Sequence, residues 1–205
     1  MKRGASAQVN TNVEIWVQSP VRSPFPLKKK ILVALWWLVQ KTLFRMSLHP
    51  MHAWRRTLLR LFGARIGPGS SVHATAKIWF PGNLVMGSHS GIAFETNVYN
   101  LDTVVIGDHV SIAHRVHLNT ASHDYRDPGF GLVTKPISIR SGAFVGTDTY
   151  IGPGVRIGEM AVIGARSVVT KDMPQEMVCY GHPCRPIKRR EKAHNESSSI
   201  LKGSR

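Results

Sequence analysis

Ten histidines give this 205-residue sequence its side chains that exchange protons near neutral pH, since a free imidazole titrates at about 6.5. One of them beside a hydroxyl would make a general base, and three together would make a zinc site. His109 and His114, five residues apart, give the metal idea a footing. The only cysteines, Cys179 and Cys184, are too few for a disulfide framework and wrongly spaced for zinc, and they fit a reducing, cytoplasmic setting. Which histidine can act depends on the elements that carry it.

Those elements are legible as a repeat. From Ile139 the chain reads in sixes, beginning Ile139, Val145, Ile151, Ile157 and Ile163, most followed by Gly, with Val169-Thr170 opening another unit. A period of six fits neither an amphipathic helix nor a long alternating strand. Traced backwards, leading aliphatic residues fall at 66, 72, 78, 86, 92, 98, 106, 112 and 118. Six residues per side and three sides per turn predict an all-β solenoid, a parallel β-helix of about five coils. The leading residues and the small fifth residues (Ser70, Ala76, Ser90, Thr96, Val110, Val116, Ser122, Ala143) are expected to point inward. Two steps are eight residues long, and one, from 118 to 139, inserts the fifteen residues 124–138 after His123. An excursion that leaves a regular solenoid and returns in register is usually functional. In this register His109 is fourth in its unit, His114 third, and His117 and His123 sixth and outward. Only His123 also stands at the mouth of the insertion.

The ends of the chain differ from this middle. Residues 1–65 carry a net charge of +11, residues 66–184 carry −1, and residues 185–205 carry +5. The basic character therefore belongs to the ends, which with the lack of an aromatic platform argues against a nucleic-acid partner. Residues 1–27 read as a flexible basic arm, 28–64 as a helical segment, 65–172 as the repeats, 173–190 as a C-terminal segment and 191–205 as a disordered tail. The uncharged run Ile31–Gln40 is far shorter than the 18 or so residues that span a bilayer. Three readings compete for it: a helix packed on the repeats, a helix in the membrane interface with peripheral contact through 28–46, and a signal peptide, which the late start and missing cleavage site disfavour. Residues 50–62 predict a second helix, with Trp54, Leu58, Leu61 and Phe62 at helical spacing, placed to cap the open first coil.

The repeats, the Asn119-Thr-Ala-Ser-His123-Asp-Tyr loop entry, the Val168-Val-Thr-Lys-Asp172 ending and Gly181-His-Pro-Cys-Arg-Pro-Ile-Lys188 together resemble the hexapeptide-repeat acyltransferases. The resemblance covers about Phe62 to Arg189 and is strongest to the branch that O-acetylates sugars, with His52-Ala-Trp-Arg-Arg similar to the colanic-acid and exopolysaccharide enzymes. It implies a left-handed β-helix, a homotrimer with sites between subunits, acetyl-CoA as co-substrate, no metal, and a sugar or lipid-linked oligosaccharide acceptor. By the same resemblance His123 is the catalytic base and the Thr147 amide an oxyanion donor. Ala165, Thr170, Lys171, Arg185 and Lys188 match CoA contacts, and three of these are cations suited to phosphates. Thr147 and Ala165, both third in their units and one coil apart, should form a column. Asn100, in the column beneath Thr120, could bond an acceptor hydroxyl or could be a ladder or turn residue. Phe144 stands where the family often has Trp, and Arg140 where Gly is common.

Two other functions remain open on the sequence. A zinc-dependent, carbonic-anhydrase-like β-helix enzyme would use His109 and His114 but leaves the Val-Thr-Lys-Asp ending and the insertion without a role. A non-catalytic scaffold needs only the repeats. An enzyme of the resembled family would work in the cytoplasm, at the inner face of the membrane if residues 28–46 bind lipid.

Overall fold

The computed structural model describes residues 26–127 and 129–191. The expected arm, save its last two residues, and the tail beyond residue 191 lie outside the described residues. The repeats form a parallel β-solenoid of three faces. Arg65–Ile66, Ser71–Val72 and Lys77–Ile78 make the first coil, one short strand per face. The first and third faces hold five stacked strands each and the second holds seven. All fifteen leading residues from Ile66 to Val169 are buried, most of them completely. The fifth residues Ser70, Ala76, Ser90, Thr96, Val110, Val116 and Ala143 join them in the interior.

Register is held by hydrogen bonds between equivalent residues of successive coils. On the second face Ser71 pairs with Gly91, Gly91 with Ser111, Ser111 with Phe144, and Phe144 with Val162. Coils of different length stack because the surplus residues all leave at one edge of the prism, where the chain passes from the third face to the first. The 3-10 turn Pro81–Asn83 lies there, as do residues 100–103 and the long excursion. At the other two edges several coils turn through a fourth residue in left-handed backbone, among them His89, Glu95, His109, Arg115, Asp148, Met160 and Arg166, with φ of 54° to 59°.

Two expectations need correction here. The solenoid has about six turns rather than five. After Val169 the chain steps only four residues to Met173, which bridges Ile157, and six more to Cys179, which pairs with Ile163. Buried Met and Cys serve as the leading hydrophobes of this last turn, which is why an aliphatic pattern loses it. Met177–Gly181 then folds back as Cys184–Arg189, an antiparallel hairpin that ends the second face. Ser122 is the second correction. It is exposed, because the chain leaves the coil at Ala121, before its fifth position can turn inward.

The open first coil is covered by helices α1 (Leu27–Val39), extended as a π-turn over Gln40–Phe44, and α2 (His52–Leu61). Each face of that coil has edge groups satisfied from them. On the third face Trp36 donates its indole N–H to the Ile78 carbonyl at 2.6 Å, and Gln40 Oε1 accepts from the Ile78 amide at 2.7 Å. Arg60 donates to the Ile66 carbonyl of the first face, and Arg56 to the Ser70 carbonyl at 2.8 Å. On the second face Arg55 Nε donates to the Val72 carbonyl at 2.7 Å. The face α2 buries is Arg55, Leu58 and Leu59, whereas Trp54 and Leu61 of the expected stripe face outward.

Arg55 is completely buried, and the desolvation lowers its pKa from the ordinary arginine value. All five of its N–H donors are used: on Val72, on Ser47 Oγ and the Leu48 carbonyl, and on the His49 carbonyl and His52 Nδ1. Arg55→Leu strands several of these acceptors and is expected to cost about 3 kcal/mol or more in urea unfolding at fixed protein concentration. Leu61→Gln on the opposite face should stay within about 0.5 kcal/mol. Equal losses in the two variants would contradict the assignment.

Candidate functional site

His123 is built into a hairpin on the edge that absorbs the surplus residues. Ala121–His123 pairs antiparallel with Leu132–Thr134, His123 facing Leu132. The amide of Asp124 donates to the Gly131 carbonyl at 3.0 Å, and Arg126 donates to the Asp124 carboxylate, whose pKa it holds below the usual carboxylate range. The Lys135 amide then donates to the Thr120 carbonyl, and the chain rejoins the first face as Ile137–Ile139. Between the strands Phe130 adopts left-handed backbone, with φ of 48°. This turns its carbonyl to His123 Nδ1 at 2.7 Å and lays its ring parallel to the imidazole, centroids 4.6 Å apart. A carbonyl can only accept, so Nδ1 carries the proton of the neutral ring and Nε2 is left with the lone pair. Phe130 was not singled out by the sequence, because nothing in the repeat register extends into the insertion.

Thr147 and Ala165 do stack as a column, at the edge between the second and third faces. Arg166 N–H donates to the Thr147 carbonyl at 2.8 Å. The Thr147 and Ala165 amides themselves donate to no protein acceptor among the described residues. A Cβ on Gly146 would lie 2.6 Å from the Ala165 nitrogen, so glycine there lets the two coils approach along this edge. Two backbone N–H groups in a row are suited to an extended amide chain such as a pantetheine arm. The column continues downward through His114 and Phe94, third in their own units. Their rings stack at 4.5 Å, and His114 Nδ1 lies 3.4 Å from Thr147 Oγ1. Beside them Arg115 and Asp148 form an ion pair at 2.7 Å.

Within one chain the structure does not bring His123 and Thr147 together, since they occupy different edges of the prism. Thr170 and Lys171 are exposed on the His123 edge, two coils above the hairpin's root. Arg185 and Lys188 are exposed on the last strand, the outermost of the second face. Asn100 lies beneath Thr120 as expected but is fully buried, its Oδ1 accepting from the Phe80 amide at 3.0 Å and its Nδ2 donating to the Phe80 carbonyl at 2.8 Å. Both ends of the Asn100 amide are thus engaged by the Phe80 backbone one coil below. His109 stacks on His89 at the edge between the first and second faces, one edge away from His114. Within one chain His109 and His114 therefore do not lie together, and no group of three or more His, Cys, Asp or Glu that could hold a metal occurs among the described residues. Two clefts of about 270 and 360 Å³ open against α1, on either side of Trp37, and do not include His123.

Against this geometry stand the relatives of the chain. No family model matches it. A protein of Escherichia coli (strain K12) assigned to colanic acid biosynthesis as the acetyltransferase WcaF is 39% identical over 160 residues, which is 78% of this chain and 88% of that one. The hexapeptide-repeat acetyltransferase VCA0836 from Vibrio cholerae O1 biovar eltor, solved with acetyl coenzyme A, superposes with a TM-score of 0.74 at 28% identity, covering 81% of this chain and 91% of that one. A galactoside acetyltransferase in complex with coenzyme A superposes with a TM-score of 0.75 at 28% identity, covering 82% and 86%. The coil register, the edge that carries the hairpin and the relatives at this level of identity lead to one conclusion: the chain belongs to the hexapeptide-repeat acetyltransferases.

Proposed function

We propose that this protein transfers the acetyl group of acetyl-CoA directly to a hydroxyl of a sugar or polysaccharide precursor, with His123 as general base. The observation that carries the reading is the 2.7 Å bond from His123 Nδ1 to the Phe130 carbonyl, because it leaves Nε2 basic on an exposed ring. The acceptor oxygen attacks the thioester carbonyl as its proton passes to Nε2. The Thr147 N–H, which has no protein acceptor among the described residues, stabilises the oxyanion of the tetrahedral intermediate. Collapse forms the O-acetyl ester and expels the CoA thiolate, which takes the proton back from His123. The Ala165 N–H holds the pantetheine arm, and Thr170, Lys171, Arg185 and Lys188 line the route to the phosphates. A relative assigned to colanic acid biosynthesis supports an extracellular-polysaccharide precursor as acceptor, and the cytosolic supply of acetyl-CoA supports the cytoplasm as the setting.

Because His123 and Thr147 occupy different edges of one chain, the proposed site lies between two subunits. The His123 hairpin of one subunit faces the Thr147 column of the next, and a closed homotrimer supplies this arrangement three times. Transfer in a ternary complex also fits the cysteines. Both are free and buried, and burial pushes the Cys179 thiol up to about 11, so neither offers a thiolate to carry an acyl group.

Thiol release from acetyl-CoA with a panel of sugars and oligosaccharide repeat units tests the base. His123→Ala should lower kcat by about 10²- to 10⁴-fold while leaving acetyl-CoA binding nearly unchanged. Wild-type turnover in that variant would overturn the mechanism. Acid quenching during turnover on radiolabelled acetyl-CoA should recover no acetyl-protein, and Cys179→Ala/Cys184→Ala should remain active. Stoichiometric acetyl-protein would replace direct transfer with a covalent route.

A further inference from the structure

The helix α1 is apolar on two opposite sides, and only one of them has a partner in the fold. Trp36, fully buried, faces the first coil with Val33 and Val39 turned the same way. Leu27, Ile31, Leu35 and Leu38, spaced at three and four residues, form the opposite side, and Leu38 is 61% exposed. The ridge continues past the helix through Leu43, Met46, Leu48 and Met51, where Met46 reaches 81%. Among the described residues, twelve of the nineteen exposed large hydrophobic residues lie between Leu27 and Leu61, so the outward apolar surface described is concentrated here. A helix apolar on all sides is ordinarily covered on all sides.

Charge indicates what covers it. Lys28, Lys30, Lys41 and Arg45 are exposed along the flanks of the ridge. No Asp or Glu occurs between Glu14 and Glu95, so every charged group that this segment itself carries is a cation. Packing this face on its copy in a second chain would set cation against cation. An apolar ridge with lysines on its flanks and tryptophan close by instead matches the layered chemistry of a membrane surface, with acyl chains at the centre and anionic headgroups beside them. The clefts on either side of Trp37 are lined by Lys30 on one side and by Lys41 and Arg45 on the other, with Trp79 in both. No helix among the described residues is long and apolar enough to cross a membrane.

We propose that α1 and the segment through Met51 lie in the interface of an anionic lipid bilayer, with Leu27, Ile31, Leu35 and Leu38 immersed and Lys28, Lys30, Lys41 and Arg45 among the headgroups. The β-helix then stands on the membrane by its capped end. The inference is independent of the acetyl-transfer reading, since it uses none of the residues assigned to that site.

Flotation of the full-length protein with vesicles tests it. Vesicles of phosphatidylcholine with roughly one third phosphatidylglycerol should carry the protein upward, and phosphatidylcholine alone should carry about tenfold less. Ile31→Gln/Leu35→Gln/Leu38→Gln and Lys28→Gln/Lys30→Gln/Lys41→Gln should each lose about tenfold in vesicle binding. Both variants should keep the wild-type oligomeric mass, melting temperature and thiol release with a water-soluble acceptor. A wild type that floats with neither vesicle overturns the proposal. So does a leucine variant of altered oligomeric mass, which would assign the ridge to a second copy.

Discussion

Everything in this fold follows from the hydrogen bonds that join each coil to the same position in the next. A leading residue such as Ile112 sits between Ile92 below and Val145 above, so its neighbours are fixed however many residues separate them in sequence. Length can change only where the chain turns between faces. All four departures from a six-residue step, the two surpluses, the long insertion and the final shortening to Met173, fall at the edge between the third face and the first. Restricting variation to one edge keeps the core at each level unchanged and leaves that edge free to carry chemistry. The His123 hairpin is the largest of these departures.

The stack also creates its own weakness, an unpaired first coil. Side chains rather than a further strand satisfy its edge, with Trp36, Gln40, Arg55, Arg56 and Arg60 each bonding main-chain groups of Ile66, Ser70, Val72 or Ile78. Arginine suits this work because its planar fork reaches several carbonyls at once. The same helices leave an outward apolar ridge that the solenoid does not use. One short segment thus closes the fold at one face and offers a second face to the surroundings.

Much of this was legible in the sequence because a strict period projects directly onto three dimensions. Ile139 to Val169 defined the coil, and counting back placed Ile66 at its start. The same register put Thr147 above His114 and below Ala165. What escaped notice lay where periodicity carries no information. Phe130, which orients His123, sits inside the insertion. Arg55 looks like any basic residue on a helix until the carbonyls around it are known. Met173 and Cys179 continue the core under residue types that the aliphatic pattern does not include. Asn100 was placed on the right edge, but only side-chain geometry revealed that both ends of its amide bond the backbone of Phe80.

The separation of His123 and Thr147 onto different edges is the structural fact that most constrains the proposed mechanism, because that mechanism then requires a site shared between subunits. Mixed assemblies address it directly. His123→Ala lacks the proposed base and Thr147→Pro lacks the proposed oxyanion N–H, so each alone should be nearly inactive in acetyl transfer. Co-expressed with distinct tags and purified through both, they should regain activity, with about a third of the sites intact in each mixed closed trimer. Mixed assemblies that form but remain as inactive as either parent would contradict a site shared between subunits.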